Sequence, residues 1–496
     1  MTGISEQATV AATGIEGLDR ILNGGFPKNH VYLVQGDPGV GKTTLSLQFL
    51  LEGAKAGERG LYITMSESER DLRAVARSHG WDLEPILIFE HLVGEEELSE
   101  VDSTIFQASE IELGPAVKKM LQKIDEVKPE RVVLDSLAEI RLLAQSSLRY
   151  RKQVLALKQF FDGRNITALL LDDRTSEVKD MQLQSVPHGV VELERYTPNY
   201  GMARRRLQIV KVRGLKFRAG YHDFNIVTGG IIVYPRLVAA ESRLRVMQSF
   251  VSSGISELDK LLGGGLDRGT STLMMGPAGS GKSALATQYA VAAAHRGEPA
   301  AFFTFDESLT TLFNRSDAMG YDLTGLVSSG KVSVQQVDPA ELQPGEFAQL
   351  VREAVDHQKV RVLIIDSLNG YLNAMPEEKY LLLHLHELLS FLGQHGIATI
   401  LVFAQHGLLG SHMGTTVDIS YLADCVILLR YYESQGSVCK AISVIKKRSG
   451  AHETSIRHFE ITKEGIKVGR PLKHFRGVLS GTPVIEEVAP TETEKS

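Results

Sequence analysis

Short apolar runs recur along the chain with little polar interruption. They are VYLV at 31–34, GLYITM at 60–65, VVLD at 132–135 and ITALLL at 166–171, then TLMM at 272–275, AAFFTF at 300–305, LIID at 363–366 and IATILVFA at 397–404. Runs apolar at nearly every position predict strands buried on both faces. Longer segments at 44–57 and 284–297 read as helices, each closed by a glycine where a C-terminal cap needs one. Strands separated by helices predict an α/β fold with a mostly parallel sheet and helices on both faces.

The pattern is written twice. A shift of 240 positions pairs TGIEGLDRILNGGFPKN, starting at Thr13, with SGISELDKLLGGGLDRG, starting at Ser253, and the match continues without a gap to LYITMSES and AFFTFDES. Beyond that the shift falls to 231, pairing Asp135 with Asp366, so the first copy carries about nine extra residues, assigned to the polar stretch near 94–103. Such register implies an internal duplication. The expected organisation is a first domain at 1–245, a second at 246–482 and an acidic, solvated tail at 483–496.

With 43% hydrophobic and 23% charged residues the composition is that of a globular protein, and no run is long and apolar enough to span a bilayer. The first residues lack the pattern of a secretory signal, so the expected compartment is the cytoplasm. Cys425 and Cys439 lie in strand-like apolar runs and are expected to be packed free thiols. A net charge of −6 argues against nucleic acid as the main partner but leaves room for a local basic groove.

GDPGVGKTT (36–44) and GPAGSGKSA (276–284) follow an apolar run and precede a helix. Gly36, Gly39 and Gly41, with Gly276, Gly279 and Gly281 in the second copy, let backbone N–H groups close around phosphate at a helix N-terminus. Lys42 and Lys282 would neutralise the β- and γ-phosphates, and Thr43 and Ser283 would offer a hydroxyl to Mg²⁺. Thr44 and Ala284 complete the expected ATP-binding residues of the two loops. The implied cofactors are ATP and Mg²⁺.

Asp135 and Asp366 end apolar strands, where a carboxylate can join the metal's shell. Glu67 in TMSES, and Asp306 and Glu307 in TFDES, read either as groups that orient or deprotonate an attacking water or hydroxyl, with Asp306 also a candidate metal ligand, or as acidic helix starts. Lys211 and Arg213 in IVKVRG, and Lys446 and Arg448 in VIKKRSG, are two apart at a strand end, so each pair leaves one face. They read as solvated cations or as groups reaching a neighbouring subunit's γ-phosphate, as an arginine finger does.

These motifs, in order and in duplicate from about Thr13 to about Gly481, resemble the KaiC family of tandem RecA-like ATPases. The resemblance implies two RecA-like P-loop domains and a double-ring homohexamer with ATP between adjacent subunits. It also implies slow hydrolysis in the first ring and serine or threonine autophosphorylation in the second. By motif, Lys42, Thr43, Glu67 and Asp135 would form the first site, completed by a neighbour's Lys211 and Arg213. Lys282, Ser283, Asp306, Glu307 and Asp366 would form the second, completed by Lys446 and Arg448.

Two departures stand out. Ser66 replaces the first of the family's two adjacent glutamates, which makes the second site look the better equipped. In the family's phosphorylated segment this chain has Ser420 followed by Tyr421, which argues against an ordered two-site cycle. Ser420, Thr415 and Thr416 are the candidate acceptors.

The expected function is an ATPase and autokinase acting as a signalling or timing hexamer, with an unnamed signalling partner. One alternative is a RecA-like motor on nucleic acid, for which RYTPNYGMARRR (195–206) is the candidate contact and a solvated hairpin the plainer reading. Another is a nucleotide-gated binding module.

Overall fold

The computed structural model describes residues 9–91, 115–144, 146–174, 184–197, 201–238, 249–373, 378–405, 420–473, 475–478 and 484–485. The chain divides into two compact units, 1–236 and 237–496. Each is a RecA-like α/β domain built on a nine-stranded sheet.

In the first unit the strands lie in the order Ile86–Glu90, Gly60–Thr64, Arg131–Asp135, Thr167–Asp173, Val31–Gly36, Gly189–Tyr196, Arg204–Val212, Tyr221–Val227, Gly230–Tyr234. The first six are mutually parallel and the last three are added antiparallel. The second unit repeats the order with Val332–Gln336, Ala300–Thr304, Val362–Asp366, Ala398–Ala404, Ser271–Gly276, Cys425–Ser434, Ser437–Lys447, Arg457–Thr462 and Gly465–Pro471.

The unbroken apolar strands are explained by two cores. Along Val31–Gly36, Tyr32 and Val34 point to one core with Leu45, Phe49 and Leu50 of the helix Lys42–Lys55. Val31 and Leu33 point to the other, with Met120 of helix Pro115–Val127 and Leu157 and Phe161 of helix Ser147–Asp162. Period-two alternation thus splits one apolar run between two faces, and a polar residue on either face would be buried.

Small bonds are duplicated too. The Thr13 N–H donates to Asp19 Oδ1 and the Ser253 N–H to Asp259 Oδ1, both at 2.8 Å, which fixes each short helix entering the domain. Both cysteines are free; Cys425 is buried and Cys439 half-buried. The extra residues expected near 94–103 and the acidic tail's 486–496 lie outside the described residues.

The arginines at 204–206 belong to the strand Arg204–Val212, which pairs back on Gly189–Tyr196, so the basic stretch forms the side of a hairpin. Glu194 and the Tyr221 ring hold the Arg206 guanidinium, which neutralises part of the stretch and lets the arginines join the ladder.

Candidate functional site

Both glycine loops sit at the carboxyl ends of the central strands, where an α/β sheet binds ligands. A Cβ at Gly36 would lie 2.6 Å from the Leu193 carbonyl oxygen, and one at Gly276 2.5 Å from that of Leu429. The last loop residue, Gly41 or Gly281, has φ of 120° or 106° and serves as N-cap of the following helix without a side-chain cap. A side chain at either would collide, at 2.8 Å with Ile226 or 2.7 Å with Phe459. The helix therefore opens with backbone N–H groups that no side chain caps, the arrangement that binds anions.

The lysines are buried within their loops. Lys42 Nζ donates to the carbonyls of Gly36 (2.9 Å) and Asp37 (3.0 Å) and lies 2.5 Å from Asp173 Oδ1. Lys282 Nζ donates to the Pro277 carbonyl at 2.7 Å, and burial pulls its ammonium down to about 8, partly opposed by the Asp366 charge. Asp173, at the end of a neighbouring strand, has Ala404 as its counterpart in the second unit.

Asp135 and Asp366 close strands two places along the sheet from those that lead into the loops. Burial pushes both carboxyls up to about 6. Asp135 accepts a hydrogen bond from the Tyr62 hydroxyl at 2.5 Å. The residue corresponding to Tyr62 is Phe302; Asp366 instead has the Ser283 hydroxyl beside it, which partly offsets its burial, and its Oδ2 is buried with no hydrogen-bond partner. A buried, unsatisfied carboxylate oxygen next to a hydroxyl fits a divalent cation, and Mg²⁺ needs only one or two carboxylates when phosphate oxygens supply the rest.

The acidic residues after the second strand separate. Thr64 Oγ1 donates to the Glu67 carbonyl at 2.7 Å and Thr304 Oγ1 to the Glu307 carbonyl at 2.9 Å, so the two glutamates are equivalent. Glu67 Oε2 is buried without a partner, and burial raises its carboxyl, helped by Asp71 and Asp173. Glu307 is gripped by Arg315, while the exposed Asp306 accepts from the Ser367 hydroxyl. Counting carboxylates favours the second site, but the first holds the less encumbered glutamate.

The basic pairs lie elsewhere. Lys211 stands opposite Val190, and Arg213 donates to the Ser185 carbonyl at 2.7 Å. Lys446 stands opposite Val426 and donates to the carbonyls of Ser420 (2.9 Å) and Ala423 (2.7 Å), and Arg448 donates to that of Tyr421 (2.9 Å). Thr415 and Thr416 lie outside the described residues.

Sequence reasoning missed Asp173, Tyr62 and Arg315. Each was visible as a mismatch between the copies, against Ala404, Phe302 and Val75, but only strand register and helix phase bring them to the loops.

Two duplicated glycine loops, each enclosing a buried lysine beside a strand-ending aspartate, define a tandem P-loop nucleotide-binding protein. The family model of the KaiC ATPase matches residues 11–238 and again 251–473, and the chain belongs to that family, whose members bind ATP. It is similar to the circadian clock protein KaiC3 of Synechocystis sp., with 28% identity over 97% of this chain and 96% of that protein. It is also similar to the circadian clock oscillator protein KaiC of Acaryochloris marina, with 27% identity over 96% of this chain and 92% of that one. Among the described residues no helix is long and apolar enough to cross a membrane.

Proposed function

We propose that each repeat binds ATP with Mg²⁺, that the chain hydrolyses ATP, and that its second repeat transfers a phosphoryl group to Ser420 of an adjacent chain in a cytoplasmic homohexamer that signals by its state. Thr43 with Asp135, and Ser283 with Asp366, would hold the metal, which neutralises phosphate charge when bound. Lys42 and Lys282 bind the phosphates. Glu67 takes a proton from water as its oxygen bonds the γ-phosphorus and the bond to the β,γ-bridging oxygen breaks, releasing ADP.

The observation carrying the cross-subunit part is the register of the sheets. Lys211 and Lys446 lie opposite Val190 and Val426, which pair beside Leu33 and Leu273, three residues before Gly36 and Gly276. That is about 10 Å of extended chain leading away from the loop, so each basic pair lies away from the phosphate site of its own repeat. The Ser420 backbone carbonyl accepts from Lys446, so a γ-phosphate reached by that lysine would lie close to the serine's backbone.

The test is incubation of the full chain with Mg²⁺ and γ-labelled ATP, without nucleic acid, with mapping of label and measurement of phosphate release. Label on Ser420 that disappears in Lys282→Ala supports the reading. Label that persists in Lys282→Ala contradicts the autokinase assignment.

A further inference from the structure

The equivalent glutamates Glu67 and Glu307 hang from the same threonine device but keep different company. Arg315 Nη1 lies 2.7 Å from both Oε1 and Oε2 of Glu307, and its Nη2 reaches Thr287 Oγ1 at 3.4 Å. Arg315 lies on the helix Leu309–Ala318, and both partners are mostly shielded from solvent. The matching helix, Glu69–Ser78, has Val75 at that position, and Glu67 Oε2 is left buried without a partner.

A general base needs a lone pair free to accept a proton within hydrogen-bond reach of the water. A guanidinium nitrogen shared between both oxygens takes up a lone pair on each and holds the carboxylate in place, so it turns less readily to a water. Transfer to a serine can instead pass the hydroxyl proton to the exposed Asp306, which is not among Arg315's partners, as the serine oxygen bonds the γ-phosphorus and ADP leaves with the electrons of the broken bond.

We infer that Arg315 is a brake on water activation in the second repeat: a positioning residue that holds Glu307 away from hydrolysis and leaves the bound ATP for phosphoryl transfer. This rests on the reading that the second repeat binds ATP. Releasing the brake lets water attack the γ-phosphorus while Glu307 takes the proton and ADP departs with the electrons of the broken bond.

The test uses the full chain with the first repeat silenced by Glu67→Gln, comparing phosphate release with and without Arg315→Val, and with Arg315→Gln as a second variant. Release should rise at least about tenfold in kcat with KM unchanged. Arg315→Lys, which restores a cation, should stay near the slow rate, and adding Glu307→Gln should erase the gain. Release no faster in either variant, with two nucleotides still bound per chain, overturns the brake. One nucleotide per chain in Glu67→Gln itself, retaining the first repeat's ligand alone, would instead overturn ATP binding by the second repeat.

Discussion

Lys42 Nζ lies 2.5 Å from Asp173 Oδ1, a contact with no counterpart in the second repeat, where Ala404 occupies the position. The phosphate-binding lysine of the first repeat is therefore already engaged by a carboxylate, and Asp135 and Glu67 lie near enough to feel the same charges. A nucleotide must displace Asp173 from Lys42 and then tolerate its negative charge. Asp173→Asn should tighten nucleotide binding at the first repeat by roughly fivefold, about 1 kcal/mol, because a like charge near the polyphosphate is removed. Equilibrium titration in a Lys282→Ala background checks this, and weaker binding would assign Asp173 a supporting role instead.

Each loop lysine is buried and faces only its own loop and nearby carboxylates, so the two sites should empty separately. Lys42→Ala and Lys282→Ala should each lower bound nucleotide from two to one per chain, measured after rapid gel filtration. Loss of both nucleotides from one substitution would mean that the repeats bind as a unit.

Asp135 is raised to about 6 by burial, from an unfolded value of 3.8. A carboxyl raised in the folded state favours folding below pH 4, and that contribution is lost as pH climbs through 6. At pH 8 the charged, buried group opposes folding by about 3 kcal/mol in the nucleotide-free protein. Asp135→Asn should therefore raise the Tm of that protein at pH 8, and by about half as much at pH 5, while weakening Mg²⁺-dependent nucleotide binding. A Tm gain equal at both pH values would exclude this origin.

Ser420 is the described acceptor candidate, and its carbonyl receives the Lys446 ammonium. Ser420→Ala should remove most label from γ-labelled ATP without lowering phosphate release, as read by peptide mapping. Undiminished label would move the acceptor to Thr415 or Thr416.

The two-domain α/β plan was legible because fully apolar strands, glycine loops and strand-ending aspartates are local signals, and their repetition at matched spacing made each reinforce the other. Lys42, Asp135, Lys282 and Asp366 stand out as candidates in this way. Asp173 was not, because its meeting with Lys42 depends on two strands 137 positions apart lying side by side, as Gly36 pairs with Asp173. Arg315 was hidden for a similar reason: only the turn of its helix carries it back to Glu307, eight residues earlier. Sequence alone counted the second repeat's two carboxylates as an advantage, since the mismatch of Arg315 with Val75 does not by itself say which side chain the arginine meets.

Phosphate release from full-length Glu67→Gln and Glu307→Gln chains tests most directly whether the two sites differ in chemistry. Removing the free glutamate of the first repeat should lower release at least about tenfold, whereas removing the arginine-bound glutamate of the second should leave most of it. Equal losses, or a larger loss from Glu307→Gln, would contradict the unequal division of hydrolysis between the repeats.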